Sequence, residues 1–261
     1  MRPEPEDTMS VEIVEEAIVA GVAALHCAPA GARDRPLPTV FFFHNFTASK
    51  EVCANFGYVL ARAGFRVVLP DAPDHGSRFD GDAARRGTAF WDVLRRDIEE
   101  LAAYRDAFQN RGLIDGDRVG VCGASLGGFV AYGAMVAYPW VTAAAAFMGT
   151  GYFDVATATA INPPIDVTGA VDAAARIAER IAGVTRYSAA GNLQAFAGRP
   201  MLVWQGVDDP IVPVAHSLRF QAEMRAGGLD GRLTVVLEPG VGHKTTPGGL
   251  AAATAFFSGA L

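Results

Sequence analysis

Basic charge is in short supply in this chain. Its 261 residues carry 22 Lys and Arg against 28 Asp and Glu, for a formal net charge of −6. Binding to a nucleic-acid backbone needs a basic face, so that class of function is not expected. Cysteine is scarcer still. Cys27, Cys53 and Cys122 are an odd number with no Cys-x-x-Cys spacing, which excludes a disulfide framework and a thiolate metal site. They read as small buried hydrophobes in a reducing compartment. The opening stretch MRPEPEDTMS lacks the apolar core of a signal peptide, so a cytoplasmic location is expected. Long apolar spans are also missing. Residues 129 to 153 are free of charge, but Pro139 divides them, so a buried helix followed by a buried strand is expected and not a membrane span.

Apolar residues make up 51% of the chain and charged residues 19%, a composition that folds and is not disordered. At this length roughly three-quarters of the unfolded surface can be buried in one core. The patterning alternates. Residues 11 to 28 read as two early strands or a hairpin, and PTVFFFH (38–44) as a continuous apolar strand. Residues 50 to 63 have helical spacing, FRVVLP is a strand, and residues 84 to 111 form one long amphipathic helix. RVGVCG is a strand, LGGFVAYGAMVAY an apolar helix, WVTAAAAFMG and PMLVWQG further strands. A helix near 214–226, the strand RLTVVLEP and a closing helix begun by Thr246-Pro247 complete the chain. Strands alternating with helices imply right-handed crossovers and a mostly parallel sheet covered on both faces. Residues 152 to 195 break the rhythm and read as a small lid or cap insertion in a single domain of 261 residues.

Gly123-Ala124-Ser125-Leu126-Gly127 has the pattern Gly-x-Ser-x-Gly between a strand and an apolar helix. That context is what a nucleophile elbow requires: a tight turn lifts the Ser125 hydroxyl above the sheet, and the glycines avoid crowding. A hydroxyl needs a base, and the base needs an orienting group. In an open α/β sheet functional groups gather at the carboxyl ends of strands. His44, His75 and His243 meet that condition, whereas His26 reads as structural and His216 as a surface residue on a helix. Only His243 completes the chain order Ser, acid, His. The acid lies in VWQGVDDPIVP, where Asp208 and Asp209 are adjacent. Successive side chains of an extended segment point opposite ways, so only one can face His243. Pro210 biases Asp209 toward extended geometry. The oxyanion is expected to meet the backbone N–H groups of Leu126 and, from the HNFTAS loop, Phe46.

The stretches FFFHNFTASKEV, PDAPDHGSRFDGDAARR, CGASLGG, GTGYF, QGVDDPIVP and PGVGHKTTP, spanning residues 41 to 247, resemble the α/β-hydrolase superfamily. Within it they are similar to small bacterial carboxylesterases of the YjfP type, relatives of dienelactone hydrolases and prolyl-oligopeptidase-like esterases. PDAPDHGSRF is the most specific of them. The resemblance implies an α/β-hydrolase fold with a mostly parallel eight-stranded sheet, a Ser125–Asp209–His243 triad, no metal and no organic cofactor. Gly206 and Val212-Pro213 set the register that selects Asp209. It implies hydrolysis of short-chain acyl esters through an acyl-enzyme, with a small-molecule ester as substrate. A thioesterase or acyltransferase using the same triad, or a non-catalytic binding protein, is the alternative. A homodimer stays open. One departure is Asn45, where the family has glycine in His-Gly-Phe. Asn45, Tyr152 and Phe153 are the expected substrate-binding residues.

Overall fold

A computed structural model describes residues 10–161 and 172–261 of the chain. Eight strands form one sheet: β1 (Val11–Ala17), β2 (Ala23–Pro29), β3 (Leu37–Phe43), β4 (Arg66–Pro70), β5 (Ile114–Ala124), β6 (Ala143–Phe147), β7 (Met201–Gly206) and β8 (Leu233–Glu238). Their spatial order is β1-β2-β4-β3-β5-β6-β7-β8. The hairpin β1–β2 is antiparallel, β2 runs antiparallel to β4, and every pair from β4 to β8 is parallel. This is the mostly parallel sheet expected from the alternating pattern, in the α/β-hydrolase architecture that the resemblance implies.

Among the described residues, eight helices accompany the sheet: α1 (Ala54–Arg62), α2 (Ala83–Gly87), α3 (Phe90–Asn110), α4 (Leu126–Ala137), α5 (Val155–Ile161), α6 (Ala173–Thr185), α7 (Ala215–Ala226) and α8 (Pro247–Ala260). The strands alternate between two cores. Phe41, Phe43, Val121 and Val203 pack with α3, α4 and α7 on one face. Val40, Phe42, Cys122, Leu202 and Trp204 pack with α1 and α8 on the other. A continuous apolar run such as VFFF is therefore two half-runs, each buried in a different layer. All three cysteines are free and buried, and burial alone pushes the Cys27 thiol up to about 12.

Local details depart from the sequence reading. The long helix drawn over 84–111 is two helices, broken at Thr88-Ala89. Asp82 caps α2 by accepting from the Arg85 N–H at 2.9 Å, and Gly87 and Thr88 are weak helix formers at the break. The run over 50–63 opens with a single 3-10 turn, Lys50–Cys53, before α1. Thr246 caps α8 by accepting from the Gly249 N–H at 3.0 Å, with Pro247 in the first turn. Within 152–195, α5 and α6 follow β6, and Ile177, Ile181 and Val184 turn the buried stripe of α6 inward. Asn162, Pro163 and Pro164 of the INPP stretch lie outside the described residues.

The chain leaves β3 for β4 on one side and returns to β5 on the other. The loops after β3 and β5 diverge there and leave a crevice at the carboxyl edge of the sheet. The loops after β7 and β8 reach the same edge.

Candidate active site

Ser125 joins β5 to α4 with φ 55° and ψ −115°, a conformation costly for a residue with a side chain. Two backbone bonds hold it: Ser125 N–H donates to the Phe147 carbonyl at 2.8 Å, and the Phe129 N–H donates to the Ser125 carbonyl at 3.1 Å. The glycines around it are demanded by close approach. A Cβ on Gly127 would fall on the Phe43 carbonyl, and one on Gly123 would fall on the Gly127 backbone. The elbow therefore presses directly against β3, which carries the other loop of the crevice.

His243 arrives from the loop after β8. Its Nε2 lies 2.9 Å from Ser125 Oγ and its Nδ1 2.7 Å from Asp209 Oδ2. The side chain of Asp209 is fully buried, while Asp208 is exposed. The two Asp209 oxygens divide the work. Oδ1 accepts the Ile211 and Val212 N–H groups at 2.8 and 2.9 Å, and Oδ2 accepts Gln205 Nε2 at 2.9 Å beside the imidazole. Burial raises the carboxyl pKa, but the hydrogen bonds from His243, Val212 and Ile211 outweigh it and leave the acid below its ordinary value. Asp209 is thus an anion at neutral pH, oriented by three donors that are not the histidine. Gly206 lets the β7 end pass the β8 loop, since a Cβ there would strike the Val241 carbonyl.

A cavity of about 230 Å³ opens beside the serine. Ser125, His243 and Asn45 supply its polar lining. Phe46, Phe90, Phe129, Ile161, Ile211 and Val212 supply the rest. The N–H groups of Phe46 and Leu126 have no acceptor among the described residues; Leu126 directly follows Ser125, and Phe46 lines the same cavity. Asn45 Oδ1 accepts from the Cys53 thiol at 3.5 Å. The left-handed backbone of this loop falls on Thr47 (φ 62°) and not on Asn45, which is why an asparagine fits where the resemblance expects glycine.

Two expected substrate residues stand back from the cavity. Tyr152 and Phe153 are buried and do not line the cavity. The Tyr152 hydroxyl donates to Glu223 Oε2 at 2.7 Å and its ring lies under the Arg219 guanidinium at 3.6 Å. Phe153 stacks behind Phe129, 6.2 Å between centroids. The GYF tract supports the cavity wall from behind. His216 is also not a plain surface residue: it is half-buried, with Nδ1 3.4 Å from Thr150 Oγ1, because the first turn of α7 packs on the loop after β6. The sequence pattern does not mark Phe90, Phe129, Ile161, Ile211 and Val212 as lining residues. They come from four places in the chain, and no spacing rule links them.

The remaining histidines are structural ties. His26, fully buried, contacts Glu16 Oε1 through Nδ1 at 3.1 Å and accepts from Arg66 Nε at 2.9 Å. His44 Nδ1 lies 2.8 Å from the Asn45 carbonyl, and its Nε2 accepts the Ala72 N–H at 3.0 Å. Both ring nitrogens are committed, and burial holds His44 down to about 4, so it is neutral.

Residues 54–258 match the prolyl oligopeptidase family. The chain is 40% identical over 244 residues to esterase YjfP of Escherichia coli, covering 94% of this chain and 97% of that protein. Among solved structures it resembles TT1662 from Thermus thermophilus (25% identity, TM-score 0.74, 96% and 98% of the two chains). It also shares its fold with a puromycin-hydrolyzing peptidase of Mycobacterium tuberculosis (20% identity, TM-score 0.70), covering 98% of this chain and 40% of that one.

Proposed function

The chain belongs to the prolyl oligopeptidase family and is a hydrolase, and from that premise we propose that it is a serine carboxylesterase acting on short, uncharged acyl esters. The observation that carries this reading is the continuous line Ser125 Oγ–His243 Nε2–His243 Nδ1–Asp209 Oδ2, at 2.9 and 2.7 Å. Ser125 Oγ attacks the ester carbonyl while His243 Nε2 takes its proton. Asp209 holds the proton on Nδ1 and stabilises the imidazolium. The Phe46 and Leu126 N–H groups receive the oxyanion. Collapse breaks the bond to the alkoxy oxygen, which leaves as the alcohol with the proton from His243. Water, deprotonated by the same imidazole, then releases the acid.

The cavity supports the substrate class. Its volume of about 230 Å³ and mainly apolar lining suit an ester group with a short chain. Among the described residues, no Asp, Glu, Lys or Arg lines it. A charged acyl group, or the α-ammonium of an aminopeptidase substrate, would be desolvated there without a partner. Esters of short neutral acids fit, and peptides with free amino termini do not.

The test is a chain-length profile on p-nitrophenyl acetate, butyrate, hexanoate and octanoate, run beside acetyl-CoA and alanine p-nitroanilide. Hydrolysis peaking at or below butyrate, and lost by about 10⁴-fold or more in Ser125→Ala, is expected. Unchanged activity in Ser125→Ala overturns the mechanism, and a preference for the thioester or the anilide overturns the substrate class.

A further inference from the structure

The stretch PDAPDHGSR is the most distinctive in the chain, yet none of its residues touches Ser125, His243 or the cavity. Its centre is Asp71, at the end of β4 and fully buried. Asp71 Oδ1 accepts the backbone N–H of Lys50 at 3.1 Å, and Oδ2 accepts Lys50 Nζ at 2.9 Å. The same Oδ2 accepts the Ser77 N–H and the Ser77 hydroxyl, both at 2.9 Å. One carboxylate thus ties the loop after β3 to the loop after β4 with four hydrogen bonds. The second loop is wrapped around it: Gly76 has φ 52°, and a Cβ there would overlap the carboxyl group. Two further ties join the same loops. His44 accepts the Ala72 N–H, and the His75 ring packs on Phe46 with centroids 5.0 Å apart.

All these ties converge on residues 44 to 50, the segment that carries the Phe46 N–H. Within the loop the Ala48 N–H donates to the Asn45 carbonyl at 3.1 Å and the Phe46 ring meets Phe90; these local contacts do not tie the segment to the β4 loop, and its left-handed residue, Thr47, is not glycine. We infer that Asp71 is a positioning residue for the oxyanion site: its carboxylate clamps the β3 loop so that the Phe46 N–H is aimed before substrate arrives. This rests on the esterase reading above. A donor displaced by about 1 Å loses much of its stabilisation of the transition state, with costs reaching ~10²-fold.

Asp71→Asn is the direct test. It keeps the shape and removes the charge. Lys50 is not stranded by it, because Nζ also pairs with Glu51 at 2.7 Å and Glu15 at 3.3 Å. Active sites are counted with a fluorophosphonate, and kcat and KM are measured with p-nitrophenyl acetate. Inhibition by a trifluoromethyl ketone, which mimics the tetrahedral intermediate, is measured on the same samples. The expected result is a fall in kcat per labelled site on the order of 10- to 100-fold with KM little changed, and a matching rise in the inhibition constant. Ser77→Ala, which keeps its N–H bond, should move the same quantities by about threefold, and Glu51→Gln should move neither. A lower melting temperature with kcat per labelled site intact in Asp71→Asn overturns the clamp and leaves Asp71 a stabilising residue only. If Asp71→Asn does not fold, an unaltered kcat and inhibition constant in Ser77→Ala overturns it instead. Wild-type protein that neither labels nor hydrolyses refutes the esterase reading itself, a different outcome from either.

Discussion

Replacing Asp209 by asparagine tests the site more sharply than removing the serine, because the structure dictates which way the new amide must sit. Asp209 Oδ1 accepts two backbone N–H groups, from Ile211 and Val212. Only the amide oxygen can take that place, so the amide nitrogen is forced to the Oδ2 position. There it faces two groups that now point donors at Oδ2, Gln205 Nε2 and His243 Nδ1. His243 can relieve the clash by becoming an acceptor at Nδ1, which moves its proton to Nε2, opposite Ser125 Oγ. The imidazole then cannot take the serine proton. The expected loss in kcat is on the order of 10⁴-fold, about 5 kcal/mol of barrier, with folding nearly intact because the Oδ1 contacts survive. The exposed neighbour is the control: Asp208→Asn should stay within about twofold. The assay is kcat and KM on p-nitrophenyl butyrate with labelled-site counting. Asp209→Asn within tenfold of wild type, or an equal loss in Asp208→Asn, refutes the reasoning.

Phe90 is edge-on to Phe46, Trp91 and Phe129, with centroids 5.2 to 5.3 Å away, and walls the cavity; Phe90→Ala should raise the octanoate-to-acetate ratio of kcat/KM by about tenfold or more, and an unchanged profile would show that the chain lies elsewhere. Burial lowers His26 and His44 to about 4 from 6.5. The unfolded chain therefore binds protons that the folded one refuses as pH falls from about 6.5 to about 4, and each histidine costs stability with a slope of up to about 1.4 kcal/mol per pH unit; urea titrations at pH 4.5, 5.5, 6.5 and 7.5 should show this decline, and a flat curve speaks against it. Asp97 works in the opposite direction. Both its oxygens are buried without a partner and burial holds its carboxyl well above the usual range, so its cost grows as pH rises above the ordinary carboxylate value; Asp97→Asn should gain more stability at pH 8 than at pH 4.5, and an equal gain at both would refute that.

Much of this fold was legible because it is repetitive. Val40, Phe41, Phe42 and Phe43 announce a strand buried on two faces, and Thr246-Pro247 announces a helix start, whatever surrounds them. The elbow was legible because Gly123 and Gly127 are local demands of a tight turn. The break at Thr88-Ala89 was not, since the apolar stripe continues through it and only the Asp82 cap and the packing of Phe90 end one helix and start the next. Tyr152 and Phe153 sit behind the cavity wall; nearness in sequence to the site says nothing about which way a side chain turns. Asp71 was visible as part of a motif, but its purpose was not.

The sequence by itself determined the sheet, the layers, the strained serine and the chain order of serine, acid and histidine, because these depend on residues a few positions apart and on the two periodicities of strand and helix. Only the tertiary structure decided how Asp209 shares its oxygens, which aromatic rings wall the cavity, and that Asp71 binds the β3 loop. Each of those is a meeting of groups from distant segments, and such meetings are settled by packing distance and hydrogen-bond direction, which no linear spacing encodes.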